Sequence, residues 1–159
     1  MIGGRYVIDG QIGRGGMGRI LRVRHIVLDK AFALKLPRAR YATDATERQR
    51  FYREARMASS LDHDNICSIV DFGDDPVFGL FMVMELLEGQ NLRQRLRREG
   101  RFSTTRTLEI GRQLLDGMAA AHAHDVIHRD LKPGNVFLVE DYRGREVVKI
   151  LDFGISKLL

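Results

Sequence analysis

The chain has 159 residues, of which 44% are hydrophobic and 30% charged, the balance of an ordinary globular protein. A formal net charge of +5 is compatible with a nucleotide ligand, but charge alone gives no reason to expect a nucleic-acid partner. The single cysteine, Cys67, excludes an internal disulfide, and the sequence contains neither a secretory signal nor a membrane segment, so we expect a cytoplasmic protein.

The first half of the chain is rich in strand signals. Polar and apolar residues alternate after a glycine cluster, which is the period of a half-buried strand. One charged segment instead places apolar residues at helical spacing, which predicts a helix with that face buried. This face consists of Phe51, Ala55, Ala58 and Leu61. The predicted elements are strands near Tyr6–Ile12, Ile20–Ile26 and Ala31–Leu36, a helix at Ala45–Leu61, and strands at Ile66–Phe72 and Leu80–Met84.

The pattern breaks at Glu88–Asn91, and the second half of the chain is richer in helix signals. Helix caps and spacing predict a basic helix at Leu92–Arg98, a long helix from Ser103 or Thr104 to about His124, and strands at Val136–Val139 and Val147–Leu151. The apolar face expected for the long helix consists of Leu108, Leu115, Met118 and Ala119. We therefore predict two lobes, residues 1–87 rich in strands and residues 88–159 rich in helices.

The glycine cluster has the spacing Gly13-x-Gly15-x-x-Gly18. Glycines at these positions let backbone N–H groups approach phosphate oxygens. The same spacing also opens a dinucleotide-binding unit, but that interpretation requires a helix after the last glycine, and a strand is predicted there. A loop that covers a nucleotide fits the pattern better, and a simple glycine-rich turn remains the alternative.

A lysine, Lys35, interrupts the apolar strand FALKL. A buried lysine is costly unless its charge is paired, and the best candidate partner on the predicted helix is Glu54. The alternative is that the lysine reaches solvent along its aliphatic stem and the glutamate is solvated.

The segment HRDLKPGN at residues 128–135 places four polar groups between apolar segments. Phosphoryl transfer needs a group that takes the proton of the attacking hydroxyl and a cation for the travelling phosphoryl group, roles that suit Asp130 and Lys132. It also needs hard oxygen ligands for magnesium, which Asn135 and Asp152, in the motif DFG, can supply. The alternative, a loop held only by ion pairs, leaves this order of residues unexplained.

Four motifs together resemble those of Ser/Thr protein kinases, which occur in bacteria as well as eukaryotes: GRGGMGRI, FALK, HRDLKPGN and DFG. The resemblance implies an α+β, two-lobe kinase fold, with a five-stranded N-lobe sheet and one helix, followed by a partial helical C-lobe. It also implies ATP and Mg²⁺ as cofactors and a protein Ser or Thr hydroxyl as the acceptor.

The same resemblance implies residue roles. Lys35 would hold the α- and β-phosphates and pair with Glu54, Asp130 would be the catalytic base with Lys132 beside it, and Asn135 and Asp152 would bind magnesium. The glycine loop that covers the nucleotide would consist of Ile12, Gly13, Arg14, Gly15, Gly16, Met17 and Gly18. The adenine site would consist of Ile20, Ala33, Met84, Phe137 and the hinge Glu85–Leu87.

The sequence stops five residues after Gly154, and the activation segment and later helices of the family have no counterpart in it. We therefore expect a fragment of a longer kinase, of low activity by itself and prone to self-association through the apolar face of the long helix. Two alternatives remain at this point. One is a nucleotide-binding regulatory module or inactive truncated kinase, and the other is a small-molecule kinase of related fold.

Overall fold

A computed structural model describes residues 1–15, 18–37 and 45–153, and these residues form two compact units. The first unit comprises Met1–Ser60 and Ser68–Leu86, and the second comprises Leu61–Cys67 and Leu87–Gly154. Each unit contains its own antiparallel sheet. None of the described helices is both long and apolar enough to cross a membrane.

The first unit is a five-stranded sheet with one helix, as predicted. Its elements are β1 (Tyr6–Gly15), β2 (Gly18–His25), β3 (Lys30–Pro37), α1 (Ala45–Ser59), β4 (Ile69–Asp75) and β5 (Gly79–Glu85). The strand order is β1-β2-β3-β5-β4. The residues of β3 and β5 are buried in continuous runs, because both faces of these inner strands are covered, whereas β2 alternates between buried and exposed residues.

The helix α1 packs against β4 through the predicted face, on which Phe51, Ala55 and Ala58 are buried. On the sheet, an aromatic and aliphatic core consists of Ile2, Tyr6, Leu21, Val23, Phe32, Leu34, Leu36, Phe81 and Val83. The N-terminus is fixed to this sheet by Asp75, whose carboxylate accepts a hydrogen bond from the Gly3 N–H at 2.9 Å. Three backbone donors in all bond to this carboxylate and lower its pKa.

The second unit combines a small sheet with two helices. Its elements are β6 (Gly89–Asn91), α2 (Leu92–Glu99), α3 (Thr104–Ala123), a 3-10 turn at Pro133–Asn135, β7 (Val136–Glu140) and β8 (Glu146–Ile150). The strand order is β6-β7-β8. Both helices begin at the predicted caps: the Asn91 side chain accepts from the Gln94 N–H, and the Ser103 hydroxyl accepts from the Arg106 N–H.

Two strand boundaries differ from the prediction. The strand expected at Ile66–Phe72 begins only at Ile69, because the residues before it bond to β8: the Cys67 N–H donates to the Ile150 carbonyl at 2.9 Å. The expected break at Gly89 is instead a strand, β6. A Cβ at Gly89 would lie 2.2 Å from the Leu138 carbonyl oxygen, so the glycine permits this close pairing with β7.

The apolar face predicted for α3, through which we expected self-association, is not the face that packs within the described residues. Leu108 and Leu115 are each 69% exposed, Ala119 is exposed and Met118 is only half-buried. The face that packs toward β8 carries Ile110, Gln113, Gly117 and Ala121. Small size explains this choice, because a Cβ at Gly117 would lie 2.8 Å from the Ile150 Cδ1 atom.

Two buried amides complete the edge of β8. The Val148 N–H donates to Gln113 Oε1 at 2.9 Å, and the Val148 carbonyl accepts from Asn65 Nδ2 at 2.9 Å. The two amides also bond to each other at 3.1 Å. These side chains take the place of a neighbouring strand, because they satisfy backbone groups that β7 does not reach.

Candidate active site

The predicted catalytic loop is organised around a buried histidine, His128, which is only 1% exposed. Its Nδ1 accepts a hydrogen bond from the Asp130 N–H at 3.3 Å, so the ring proton lies on Nε2. Nε2 then donates to the Leu151 carbonyl at 2.7 Å. The imidazole therefore joins the loop that carries Asp130 to the residue that precedes Asp152.

Asp130 lies at the centre of a compact polar cluster. Its Oδ2 accepts hydrogen bonds from Lys132 Nζ at 2.5 Å and from Asn135 Nδ2 at 3.2 Å. Both bonds end on the same oxygen, and Oδ1 makes no hydrogen bond within the part of the chain that the structure describes. The Lys132 ammonium holds the pKa of Asp130 below its usual value, more than burial raises it. Asp130 is therefore a carboxylate at neutral pH, with one oxygen open.

Asn135 is buried and its orientation is fixed by the loop. Its Nδ2 also donates to the Asp130 backbone carbonyl at 2.9 Å. Because the amide nitrogen points to Asp130 twice, the amide oxygen faces elsewhere and remains available as a ligand. The Leu151 N–H donates to the Asn135 carbonyl at 2.8 Å, which places Asp152 one residue beyond a fixed contact. An amide oxygen and a carboxylate are ligand types that magnesium prefers.

The backbone is strained at two points of this loop system. Arg129 and Asp152 adopt the left-handed conformation, with φ of 64° and 62°. This conformation costs roughly 1–3 kcal/mol for a residue with a side chain, and it clusters at functional sites. The next residue, Phe153, is buried against the His128 ring, with 4.8 Å between ring centroids. Packing and hydrogen bonds therefore hold the motif that begins with Asp152.

The predicted glycine loop lies in the first unit, at the end of the β1–β2 hairpin where β1 ends and β2 begins. Gly13 pairs with Ile20, and Gly15 pairs with Gly18. A Cβ at Gly18 would lie 2.1 Å from the Leu36 carbonyl oxygen, and its φ is 134°, so the fold itself requires glycine there. A Cβ at Gly13 would make only ordinary contact with Ile20, at 3.5 Å. Packing therefore does not explain Gly13.

The structure also describes the other residues predicted for the nucleotide site, except Gly16 and Met17. Lys35 is 3% exposed on β3, where it pairs in register with Ile20 on one side and Met82 on the other. Ala33 and Met84 are register partners on β3 and β5, and both are buried. Glu54 lies half-buried on α1, Ile12 and Arg14 are exposed on β1, and Leu87 and Phe137 are half-buried in the second unit. Gly16 and Met17 lie outside the described residues.

Two features of this site were not predicted from the sequence. No role was predicted for His128, although its place directly after the apolar Val126–Ile127 is a signal of burial. The Asn65 and Gln113 amides, which hold β8 ahead of Asp152, carried no recognisable signal. Such roles depend on partners that are 35 to 83 residues distant in the chain.

The first unit thus contains a glycine-loop hairpin and a buried strand lysine. The second unit contains a loop with Asp130, Lys132 and Asn135, bonded to the residue before Asp152. A family model described as the protein kinase domain matches residues 6–159. The chain belongs to the protein kinase family.

Named relatives agree with this membership. The chain is 42% identical over 154 residues to serine/threonine-protein kinase pkn3 of Myxococcus xanthus, covering 97% of this chain and 28% of the relative. It is 40% identical over 159 residues to serine/threonine-protein kinase PrkC of Bacillus subtilis, covering 99% and 24%. The solved PknI kinase domain of Mycobacterium tuberculosis superposes with a TM-score of 0.84 at 28% identity, covering 98% of this chain and 61% of that domain. The chain thus spans about a quarter of the length of these two curated relatives.

Proposed function

We propose that this chain forms the nucleotide-binding and catalytic part of an ATP-dependent serine/threonine-protein kinase. The observation that carries the proposal is the cluster of Asp130, Lys132 and Asn135. The Asn135 carbonyl of this cluster accepts a hydrogen bond from Leu151, the residue directly before Asp152. Protein kinases transfer the γ-phosphoryl group of ATP to a hydroxyl group of a protein. The relatives' names support Ser and Thr as the acceptor residues of this chain.

In this proposal Asp130 orients the acceptor hydroxyl. Its Oδ2 is engaged by Lys132 and Asn135, so Oδ1 accepts the hydrogen bond from the hydroxyl. The hydroxyl oxygen forms a bond to the γ-phosphorus while the bond from that phosphorus to the β–γ bridging oxygen breaks, and ADP leaves. The hydroxyl proton passes to Asp130, and the Lys132 ammonium offsets negative charge on the moving group.

Asn135 and Asp152 would hold Mg²⁺, which neutralises phosphate charge when it is bound. The residues fit this role, because the fixed Asn135 amide turns its oxygen away from Asp130 and Asp152 is a carboxylate on a constrained backbone. The loop of Ile12–Gly18 would cover the phosphates. Gly13 supports this part of the proposal, since the packing of the hairpin gives no other reason for a glycine there.

Lys35 would contact the α- and β-phosphates and pair with Glu54. The adenine ring would contact Ile20, Ala33, Met84 and Phe137 and bond to the backbone of Glu85–Leu87. One observation supports the hinge role: the Leu87 N–H and carbonyl make no backbone hydrogen bond within the described residues. Use of ATP as the donor favours a cytoplasmic location for the domain. The exposed Leu108 and Leu115 on α3 favour self-association of the isolated chain.

The test is phosphoryl transfer from labelled ATP to a generic protein acceptor, measured with the complete open reading frame that encodes this chain. Asp130→Asn should lower kcat by ~10²–10⁴-fold while the affinity for a fluorescent ATP analogue is retained. Asp125→Asn is the matched control, because Asp125 is an exposed carboxylate just before the same loop. Equal transfer by the Asp130→Asn variant and its control would show that the proposed role is wrong.

A further inference from the structure

The first turn of α2 lies against the candidate catalytic loop. The pairing of Asn91 with Phe137 places the start of α2 beside the 3-10 turn that precedes β7, and the helix packs on that turn. The Arg93 guanidinium covers Gly134: a Cβ built on this glycine would lie 3.7 Å from Arg93 Cζ and Nη2 and 3.9 Å from Nε. A cation therefore sits one residue from Asn135 and two residues from Lys132 along the loop.

The charge of Arg93 is not compensated within the described residues. Arg93 is exposed, and no described carboxylate lies within ion-pair distance of its guanidinium. Its neighbours differ in this respect: Arg95 and Arg106 both pair with Glu99 and Glu146, at 2.5–3.2 Å. Two nearby guanidinium groups thus serve the structure of the unit, whereas Arg93 is left available to a ligand.

Stability does not explain an arginine at this place. Arg93 is the second residue of α2, and the first turn of this helix contains no acidic residue. The amino end of a helix carries partial positive charge, so a cation there is unfavourable, while the arginines of the last turn, Arg97 and Arg98, lie where cations are favoured. A residue that breaks a local rule without a structural gain is a candidate for function.

The Lys132 ammonium of the loop is already engaged, since it is bonded to Asp130. Arg93 therefore adds a positive charge that no described carboxylate neutralises, against the loop that carries Asp130. Because Gly134 has no side chain, the guanidinium can lie against the backbone there, and the exposed Arg93 can offer its N–H groups to a planar anion.

We propose that Arg93 is a specificity-determining residue that selects protein segments carrying an acidic side chain, a carboxylate or a phosphate, near the phosphorylated Ser or Thr. This inference rests on the proposed kinase function and names its class of substrate. All the residues that carry this inference belong to the second unit, and the inference depends only on the contact between α2 and the catalytic loop.

The experiment compares synthetic peptides that contain one Ser in a neutral background, with Glu, Gln, Lys or phosphoserine placed at successive positions on either side. Phosphorylation by the complete open reading frame gives kcat/KM for each peptide. We expect the best Glu peptide to exceed its Gln analogue by about fivefold, the size of an exposed ion pair. The phosphoserine peptides show whether a carboxylate or a phosphate is the preferred anion.

Arg93→Gln should bring the ratio of Glu to Gln peptides to about one, and Arg93→Glu should reverse the preference toward Lys peptides. A merely structural role of Arg93 could lower the rate for all peptides but could not reverse a charge preference. Arg101→Glu is the matched control, since Arg101 is an exposed arginine beyond the end of α2 with no ion pair inside the described residues. This control should keep the preference for Glu.

Failure of this inference can be distinguished from failure of the kinase proposal. Phosphorylation that requires Asp130 but favours no acidic peptide, or a preference that survives Arg93→Glu, would overturn the role of Arg93 alone. Absence of any transfer would overturn the kinase proposal. In that case fluorescence anisotropy of labelled Glu and Gln peptides on the 159-residue chain still decides the inference. Equal affinities there would refute it, and tighter Glu binding that Arg93→Gln abolishes would support it.

Discussion

Replacement of Gln113 by Met tests whether buried amides hold the second unit together. Gln113 is 7% exposed, and its side chain makes four hydrogen bonds: Oε1 accepts from Val148 N–H and Asn65 Nδ2, and Nε2 donates to the Glu146 carbonyl and to Glu109. Methionine has a similar volume and is flexible, so the substitution removes the polar groups and leaves little cavity.

The expected cost follows from the groups left without partners. The Val148 N–H is buried on the open edge of β8, and an unsatisfied buried donor costs roughly 1–3 kcal/mol. Loss of the bond to the Glu146 carbonyl adds about 0.5–1.5 kcal/mol. We therefore expect the free energy of unfolding to fall by about 2–4 kcal/mol, a large part of the ~5–15 kcal/mol typical of a domain.

Urea denaturation of the 159-residue chain, followed by circular dichroism, measures this change. With a slope of roughly 2 kcal/mol/M, the midpoint should fall by about 1–2 M. Gln94→Met is the matched control, because the exposed Gln94 side chain accepts only the Asn91 N–H, in the capping box of α2. Its loss should cost about 1 kcal/mol or less. Equal midpoints for the two variants would refute the assigned role of the Gln113 network.

Two further predictions concern the glycine loop and the loop carboxylate. Gly18→Ala should destabilise the first unit, because the added Cβ would meet the Leu36 carbonyl, and normal thermal melting of this variant would contradict the account. Gly13→Ala should fold normally but weaken binding of a fluorescent ATP analogue, which a titration measures. The pKa of Asp130 is lower in the folded protein than its value of ~3.9 in an unfolded chain. The side chain is therefore ionised above pH ~3.9, and it is protonated only as the pH falls further, through the pKa of the folded protein. Lys132→Met removes the largest cause of that shift, so the acid limb of the pH profile of kcat/KM should move upward, and an unmoved limb would argue against the assignment.

The sequence by itself determined the type of most elements and the family of the chain. Alternation after the glycine cluster predicted β2, helical spacing predicted α1 with its buried face, and Asn91 and Ser103 predicted the starts of α2 and α3. These signals are local, since strand period, helix period and capping depend on residues a few positions apart. The four short motifs are local as well, and they indicated the protein kinase family to which the chain belongs.

Only the tertiary structure decided which surfaces are buried. Hydropathy placed Leu115 on the apolar face of α3, and that residue is exposed, while Gln113 and Gly117 are buried because β8 approaches the helix closely there. A polar side chain can be buried where distant backbone groups satisfy it, and a sequence does not display those partners. The contact of Arg93 with Gly134 is of the same kind, since the pairing of β6 with β7 brings together residues about forty positions apart.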